Sequence, residues 1–313
     1  MKQPTIAVVS VSGGKDSTAT ALLAIDQHGR DKCRFVFADT GHEHEATVEY
    51  VKDYLPRALG ATIDVVRADF AKDIARKRLY VAEVWPTKGV PPEIVERALS
   101  VLQPTGIPFL DLCLWKGRFP SRKAQFCTQE LKRHPLDAYT IDLMRAGHRV
   151  ESWQGVRRDE SANRRDVADR EMTPEGWEIV RPIAAWSAAE VFALLCDRGI
   201  EPNPLYLQGC SRVGCLPCIN CSKDELSVIA RRWPHHVARV REWERLVGMA
   251  SKRGFSTLLH HADGEGGDAE HAYRHSNIDS MVEWARTGRG GHTFDMLKTL
   301  PLPACSSVYG LCE

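Results

Sequence analysis

The 313-residue sequence lacks any run of about 18 apolar residues, the length that a helix needs to cross a bilayer. Its first residues lack the cleavage region of a signal peptide, and no internal repeat is present. Neither sign of charge is in excess, because the chain has 42 Lys and Arg residues and 41 Asp and Glu residues. Any nucleic-acid affinity must therefore arise from a local patch. These absences predict a cytoplasmic protein with no membrane partner.

Cysteine, in contrast, is abundant, with ten residues in the chain. A chain of this length can bury a core without disulfides or metals, so the thiols need another explanation. Isolated cysteines in apolar or helical surroundings are predicted to be small buried hydrophobes: Cys33, Cys113 and Cys196. The other notable feature is a cluster of Cys210, Cys215, Cys218 and Cys221 within twelve residues. Clustered cysteines in a cytoplasmic chain favour metal or redox chemistry.

Strand and helix patterns alternate through the first 200 residues, which predicts an α/β fold with a parallel sheet and helices on both faces. The predicted strands are Thr5–Val11, Arg34–Ala38, Ala61–Ala68, His148–Gln154 and Trp177–Ile183. The predicted helices include Glu45–Leu59, Thr128–Arg145 and a helix from the N-cap Ser187, with Glu190 completing a capping box. We expect a nucleotide-binding domain over residues 1–200 with an irregular insert at about 80–125. Residues 201–313 are expected to form a mainly helical, Cys-bearing module with one long helix, Lys223–Lys252.

A glycine-rich loop, Ser12-Gly13-Gly14-Lys15-Asp16-Ser17, stands between the first predicted strand and a helix. Backbone N–H groups of such a loop can surround phosphate oxygens, and the helix dipole adds positive potential. Lys15 adds a mobile charge, and the two serines add hydrogen-bond donors. The spacing is not that of a Walker loop. The alternative is a tight turn in which Ser17 caps the helix.

This loop resembles the pyrophosphate-binding loop of the N-type ATP pyrophosphatases, a superfamily that also contains the adenylyl-sulfate and phosphoadenylyl-sulfate reductases. Further segments resemble the reductase-like branch over about residues 5–225. They are Ala38-Asp39-Thr40-Gly41, Phe126-Cys127-Thr128 with Leu131-Lys132 and Pro135, the Gly155–Ser161 segment GVRRDES with Arg164, Arg181-Pro182 with Trp186, and Asn203-Pro-Leu-Tyr206 followed by Gly214-Cys215.

The resemblance implies an open, mostly parallel five-stranded sheet of the adenine nucleotide alpha hydrolase-like type, with a nucleotide across the carboxyl ends of its strands. It implies catalytic roles for Lys15, Asp16 and Asp39, the last beside the nucleotide or its Mg²⁺; the alternative is a loop carboxylate that caps the next helix. The implied nucleotide contacts are Ser12, Gly13, Gly14, Lys15, Asp16, Ser17, Asp39, Gly155, Arg157, Arg158, Glu160, Ser161 and Arg164. Arginine forks suit phosphate or sulfate oxygens, although a solvated charged turn is the alternative for this segment. His42 and His44 are candidate metal ligands that we expect to be solvated instead.

The resemblance also favours a 4Fe-4S cluster held by Cys127, Cys215 and Cys218. The fourth ligand is expected to be Cys221, with Cys210 or Cys312 as alternatives, because Phe126 stands where the reductases usually have a second cysteine. Zinc bound by the loop alone, or free thiols, are the other interpretations. An open iron position would suit sulfur delivery.

The predicted function is an ATP pyrophosphatase that adenylates an acceptor, releases pyrophosphate and transfers sulfur, as in DNA phosphorothioation or tRNA thiolation. ATP, Mg²⁺ and the 4Fe-4S cluster are the expected cofactors. A nucleic acid is the expected acceptor, and a cysteine desulfurase is an example of the expected sulfur donor. One alternative is a sulfonucleotide reductase that uses a C-terminal thiol, for which Cys305 and Cys312 are the candidates. Another is a non-catalytic subunit that senses nucleotide or redox state.

Overall fold

Six strands form one sheet in the computed structural model, which describes residues 5–261, 268–288, 291, 293–300 and 302–312. The strands are β1 (Thr5–Ser10), β2 (Cys33–Ala38), β3 (Ile63–Val66), β4 (Arg149–Trp153), β5 (Arg170–Met172) and β6 (Glu178–Val180). Their order is β3-β2-β1-β4-β6-β5. Neighbours from β3 to β6 run parallel, whereas β5 is antiparallel to β6. The predicted parallel sheet of five strands is confirmed, with a short antiparallel strand added at one edge.

The helices carry most of the remaining chain. They are α1 (Lys15–His28), α2 (Glu45–Glu49), α3 (Leu55–Leu59), α4 (Ala71–Thr87), α5 (Pro92–Val101), α6 (Pro108–Lys116), α7 (Phe126–Thr128), α8 (His134–Arg145), α9 (Ala188–Asp197), α10 (Lys223–Arg232), α11 (Pro234–Met249), α12 (Ala269–Ser276) and α13 (Ile278–Ala285). π-helical turns at Tyr50–Tyr54 and Gln129–Arg133 join α2 to α3 and α7 to α8. The helix predicted at Glu45–Leu59 is therefore present with a local change of hydrogen-bond register. No helix in the described part of the chain is long and apolar enough to span a membrane.

The sheet is buried on both faces. Val9 and Phe35 pack beneath α1, α3 and α9, while Val8 and Val36 pack on the opposite side against α8. Successive side chains of a strand point to opposite faces, so a strand covered on both sides is apolar throughout. This explains the run TIAVVS of β1, in which Ala7, Val8 and Val9 are almost inaccessible.

A second core lies in the helical half of the molecule. It combines α4, α5 and α6 with α11 and α13 through buried side chains such as Trp85, Leu112, Trp243 and Met281. The segment predicted to be irregular at about 80–125 thus contains two complete helices. Its prolines misled the prediction because Pro92 and Pro108 stand at the first position of a helix, where the missing N–H costs nothing.

The single long helix predicted at Lys223–Lys252 is wrong. It is divided at Trp233, where α10 ends and α11 begins at Pro234. Proline provides no N–H for a continuing helix and disfavours helical backbone in the residue before it. Trp233 accordingly has φ −132° and ψ 63°.

The strand order creates a switch point between β1 and β4. The chain moves from β1 outward to β2 and β3, then returns to the other side of β1 as β4. Loops that follow β1 and β4 therefore diverge to opposite sides of the sheet and leave a crevice at its carboxyl end. In open α/β sheets this is where ligands bind.

Candidate functional site

The nucleotide loop, Ser12–Ser17, follows β1 and is held by its own serines. Ser17 Oγ accepts a hydrogen bond from Ser12 N at 3.1 Å and donates to Gly14 O at 3.0 Å. Helix α1 begins at Lys15 with Gly14 as N-cap, so the first N–H groups of α1 have no acceptor within the helix. Ser17 is thus inside the helix and not its cap, and the loop presents a helix N-terminus to the crevice.

Two residues outside the motif support this loop. Asn203 Nδ2 donates to Gly13 O at 3.2 Å, and Tyr206 Oη accepts from Lys15 N at 3.1 Å. Both side chains are buried, and burial raises the pKa of Tyr206, so its hydroxyl stays neutral. Neither residue was predicted to be a site residue, although both belong to the Asn203-Pro-Leu-Tyr206 segment that resembles the reductase-like branch.

Asp16 joins the loop to the segment after β4. Its carboxylate binds Lys15 Nζ at 2.9 Å and Arg157 Nε at 2.6 Å. Arg157 also donates to Asp159 through Nη1 at 2.5 Å, and its side chain is only 5% exposed. Asp16 therefore holds Lys15 and Arg157 next to each other. A phosphate group could bind these two cations, either together with Asp16 or by displacing it.

Gly155 lies where α1 meets the segment after β4. A Cβ atom at this residue would stand 2.7 Å from the carbonyl group of Asp16 and 2.8 Å from Ser17 N. No side chain fits without moving the backbone of α1. The glycine predicted as a nucleotide contact therefore has a steric role in placing Arg157 next to the loop.

The rest of the arginine segment is less directly connected to the loop. Arg158 donates to Val167 O at 3.0 Å and pairs with Asp169 at 2.6 Å. Arg164 forms an ion pair with Glu160 and interacts electrostatically with Asp16 and Arg157. Burial, followed by the like charges of Arg212 and Arg157, lowers the pKa of Arg164. Ser161 is exposed. Arg157 and Arg164 thus face the loop, whereas Arg158 binds other partners.

Asp39 follows β2 at the same end of the sheet. Its Oδ1 accepts from Gly41 N at 2.9 Å, and its Oδ2 lies 3.5 Å from Arg67 Nε and 4.0 Å from Lys52 Nζ. The carboxylate stabilises its own turn and faces two partly exposed cations. Its role beside a nucleotide or Mg²⁺ stays a prediction.

Three cysteines from two segments form, with Lys132, what we call the thiol pocket: Cys127 of α7, and Cys215 and Cys218 of the loop before α10. Electrostatic interactions connect Cys127 with Cys218, Cys215 with Cys218, and all three with Lys132. Burial raises the pKa of Cys127, and it raises the pKa of Cys215 to about 12. Burial alone would lower the pKa of Lys132, but the thiols and Glu43 together raise it, so the ammonium is the counter-charge of this pocket.

Cys215 is held by the turn after β2. Glu43 accepts hydrogen bonds from Thr40 N and Oγ1 and from His42 N, and Thr40 Oγ1 lies 3.4 Å from Cys215 Sγ. The backbones of Glu43 and Cys215 form an isolated β-bridge, and Leu216 N donates to His42 O at 2.9 Å. The DTGHE segment thereby fixes the thiol pocket beside the sheet.

His42 and His44 are buried, so the expectation that they are solvated is wrong. His42 packs between Phe109 and Trp243, and its Nε2 lies 3.0 Å from Pro217 O. Among the described residues, one set of three or more His, Cys, Asp or Glu side chains has all its ligand atoms within 4.8 Å: His44, Glu45 and His236. Arg239 donates to His236 Nδ1 at 2.6 Å and lies 3.9 Å from Glu45. This guanidinium already supplies positive charge at the cluster.

Zinc and an iron–sulfur cluster require different spacings of the cysteine thiols that bind them. Zinc–sulfur bonds of about 2.3 Å require thiolates within about 4.6 Å of one another. No three cysteines in the described part of the chain meet a 4.8 Å limit. A cluster bonds each thiolate to a different iron, so its ligands stand further apart. The donor set of Cys127, Cys215 and Cys218 around a lysine suits such an anionic group.

The three candidates for a fourth ligand differ in position. Cys221 and Cys210 both interact with Glu225, but Cys221 also interacts with Cys218 of the pocket, whereas Cys210 interacts with Arg232. Cys312 is bonded to Cys305 in a disulfide and has no free thiol, so it does not serve as a ligand in this state. Of the isolated cysteines, Cys33 and Cys113 are buried as predicted, but Cys196 is exposed at the end of α9. Cys221 remains the preferred candidate.

Comparison with known proteins places this architecture in a family. The model of the phosphoadenosine phosphosulfate reductase domain matches residues 6–87 and 114–221, more than half of the chain. This chain belongs to that family. The matched residues include the nucleotide loop, Arg157 and the thiol pocket, whereas α5 and residues 222–313 lie outside the match.

Several known proteins are similar in sequence to all or part of this chain. An uncharacterized 37.8 kDa protein of Escherichia phage 186 is 46% identical over 99% of this chain and 98% of its own length. Adenosine 5'-phosphosulfate reductases of Rhizobium tropici and Allochromatium vinosum are 39% and 33% identical over 25% and 36% of this chain. This chain spans less than half of either reductase, 44% and 42%. A solved phosphoadenylyl-sulfate reductase of Candida auris, in a phosphate complex, aligns with a TM-score of 0.39 and 15% identity over 66% of this chain and 80% of that one.

Proposed function

We propose that this protein is an ATP pyrophosphatase that activates an acceptor for sulfur transfer. The observation that carries the proposal is the intact Ser12–Ser17 loop at the start of α1, with Lys15 and Arg157 both bound to Asp16. A terminal pyrophosphate carries more charge than the sulfate end of a sulfonucleotide. Two adjacent cations at a helix N-terminus suit the more highly charged group.

The chemistry requires charge stabilisation more than proton transfer. An acceptor oxygen would attack the α-phosphorus of ATP, forming an adenylated acceptor and releasing pyrophosphate. Lys15 would leave Asp16 and bind the departing pyrophosphate together with Mg²⁺, while Arg157 stays anchored by Asp159. A sulfur nucleophile would then displace AMP. The acceptor is proposed to be a nucleic acid, and the sulfur donor a protein such as a cysteine desulfurase.

The proposed 4Fe-4S cluster would be held by Cys127, Cys215 and Cys218, with Cys221 as fourth ligand. When bound, such a cluster supplies iron-based sulfur or electron-transfer chemistry. The protein's own contribution is the Lys132 ammonium, which offsets negative charge in the pocket, and the Thr40 hydroxyl beside Cys215. Membership of the phosphoadenosine phosphosulfate reductase domain family does not depend on this cluster.

A second candidate is reduction of a sulfonucleotide. Two observations favour it: relatives that are named as adenosine 5'-phosphosulfate reductases, and a C-terminal segment with two cysteines that lies near the nucleotide loop. That reaction needs a thiol to attack the sulfate sulfur, and no pyrophosphate would be released.

One assay separates the two candidates. Protein purified without oxygen and kept reduced is incubated with ATP and Mg²⁺, with and without nucleic acid, and AMP and pyrophosphate are measured. We expect AMP and not ADP, and Lys15→Ala to lower turnover at least about 100-fold because it removes the charge opposite the pyrophosphate. Lys72→Ala, at an exposed lysine of α4, is the matched control. Sulfite release from phosphoadenylyl sulfate with thioredoxin, and no reaction with ATP, would establish the second candidate instead.

A further inference from the structure

The C-terminal segment 302–312, here called the tail, covers the lysine of the nucleotide loop. The Tyr309 ring centroid lies 5.3 Å from Lys15 Nζ, and Phe192 and Tyr206 place their rings at 5.9 Å and 5.6 Å. Lys15 is only 5% exposed as a result. In this arrangement the ammonium faces Asp16 and three aromatic rings, one of which belongs to the tail.

The tail contacts the segment after α9 and helix α10. Ser306 N donates to Leu207 O at 2.7 Å, and Tyr309 Oη donates to Ser211 O at 2.7 Å. Arg232 donates to Pro303 O and, at 3.0 Å, to Ser306 Oγ. These contacts lie outside the sheet, so the tail can open locally while the sheet stays folded.

The surface beneath the tail is shaped to receive it. Gly209 lies directly under Ser306, and a Cβ atom at Gly209 would stand 3.1 Å from Ser306 Oγ and 3.5 Å from Ser306 O. A side chain at this residue would require the Ser306 hydroxyl to shift by a few tenths of an ångström. The tail thus packs directly on Gly209.

A disulfide between Cys305 and Cys312 closes the part of the tail that contains both Ser306 and Tyr309. Cys312 is exposed, so a reductant can reach the bond. A cross-link restricts the conformations of an open segment, which favours the closed arrangement. Reduction would restore that freedom to the tail.

We infer that Cys305 and Cys312 are a reversible thiol–disulfide pair that controls access to Lys15, with Tyr309 as the covering group. The inference rests on the proposed function only for the identity of the nucleotide that Lys15 binds. A dithiol reductant breaks the Cys305–Cys312 bond and becomes a disulfide itself, while its two electrons and two protons generate the two thiols. The tail then opens, and Lys15 becomes available to a phosphate group. Two-electron oxidation, for example by glutathione disulfide with release of two glutathione molecules, closes it again.

The test measures the accessibility of Lys15 without any nucleotide, so that its outcome is independent of ATP turnover. The full-length disulfide-bonded protein, a Cys305→Ser/Cys312→Ser double variant and Tyr309→Ala are treated with an amine-acetylating succinimidyl ester under the same conditions. Peptide mass spectrometry gives the acetylation rate of Lys15, with the exposed Lys72 as internal reference. Cys196→Ser, which removes an exposed thiol outside the tail, is the matched control.

We expect Lys15 to be acetylated about tenfold faster or more in the double variant and in Tyr309→Ala, because a minor open state is typically populated at 0.1–10%. Lys72 should react equally in all proteins, and Cys196→Ser should resemble the wild type. Tyr309→Phe, which keeps the ring and loses the bond to Ser211, should retain most of the protection. Equal Lys15 rates in wild type and the double variant would overturn the redox control. Equal rates in Tyr309→Ala as well would overturn the covering role of the tail.

Discussion

At the carboxyl end of β1, Asp16 lies between two cations, whereas in the helical half Glu244 is buried without a direct cation. Glu244 accepts hydrogen bonds from Leu258 N and Ile278 N, both at 2.9 Å, and is 2% exposed. Burial raises the pKa of Glu244 to about 7. The first carboxylate organises charges that a ligand can compete for, and the second connects α11 to the segments around it.

The same contrast separates the nucleotide loop from the thiol pocket. The loop is one contiguous motif, which Arg157, Asn203, Tyr206 and the rings of Phe192 and Tyr309 contact from outside. The pocket brings together α7, the turn after β2 and the loop before α10, and Lys132 interacts with all three thiols. The loop is organised by ion pairs at Asp16, whereas the thiols of the pocket are set by burial.

The largest expected effect is in the thiol pocket. Protein purified anaerobically should contain about four iron atoms per chain, as a four-iron cluster requires. Cys127→Ser, Cys215→Ser and Cys218→Ser should each remove the iron and the brown colour, whereas Cys33→Ser should not. Metal and acid-labile sulfide analysis checks this. Stoichiometric zinc without iron or sulfide would contradict the assignment.

The two adjacent arginines offer the next contrast. Arg157→Ala should weaken nucleotide binding by about 1.5–3 kcal/mol through the lost charge-assisted bonds. It should also lower the free energy of unfolding by about 2–4 kcal/mol, since Arg157 is buried and its loss leaves Asp16 with one partner fewer. Arg158→Ala should change both quantities much less, because Arg158 pairs with the exposed Asp169. Calorimetric titration and chemical denaturation measure the two effects. Equal losses in both variants would show that the segment acts as one charged surface.

Glu244 provides a prediction for pH. Its folded-state pKa of about 7 lies above the ordinary value of 4.5, so the folded protein holds the extra proton in that interval. Its contribution to stability is complete below about pH 4.5 and is lost as the pH rises through 7. The stability difference between wild type and Glu244→Gln should therefore shift against wild type by up to about 3 kcal/mol from pH 4.5 to 8. Denaturation curves at several pH values measure this stability difference. A difference that is independent of pH would contradict the raised pKa of Glu244.

The smallest effect is expected at the start of α9, which belongs to neither the nucleotide loop nor the thiol pocket. Ser187 Oγ accepts a hydrogen bond from Glu190 N at 3.2 Å, and Glu190 Oε2 accepts one from Ser187 N at 2.7 Å. Ser187→Ala should lower the free energy of unfolding by about 1 kcal/mol and leave nucleotide binding unchanged. A loss of binding in this variant would mean that α9 contributes more to the loop than packing.

Local signals predicted the sheet, the nucleotide loop and the capping box of α9 from the sequence, because each depends on residues close in the chain. Contacts between distant segments could not be predicted in the same way. The interaction of Lys132 with three thiols, Asn203 and Tyr206 beneath the loop, and Tyr309 above Lys15 all depend on tertiary packing. In the 80–125 segment, the sequence predicted irregular structure where helices are present. Proline is common both at the first position of a helix and in loops, so its presence alone does not distinguish the two.

The central claim is that a nucleotide binds at the switch point between β1 and β4, and amide hydrogen exchange tests it directly. Exchange is measured on the reduced protein with and without ATP and Mg²⁺, with Lys15→Ala as control. We predict slower exchange in peptides that contain residues 12–18 and 155–164, and no slowing in the control. Protection confined to other segments, or the same protection in Lys15→Ala, would contradict the account.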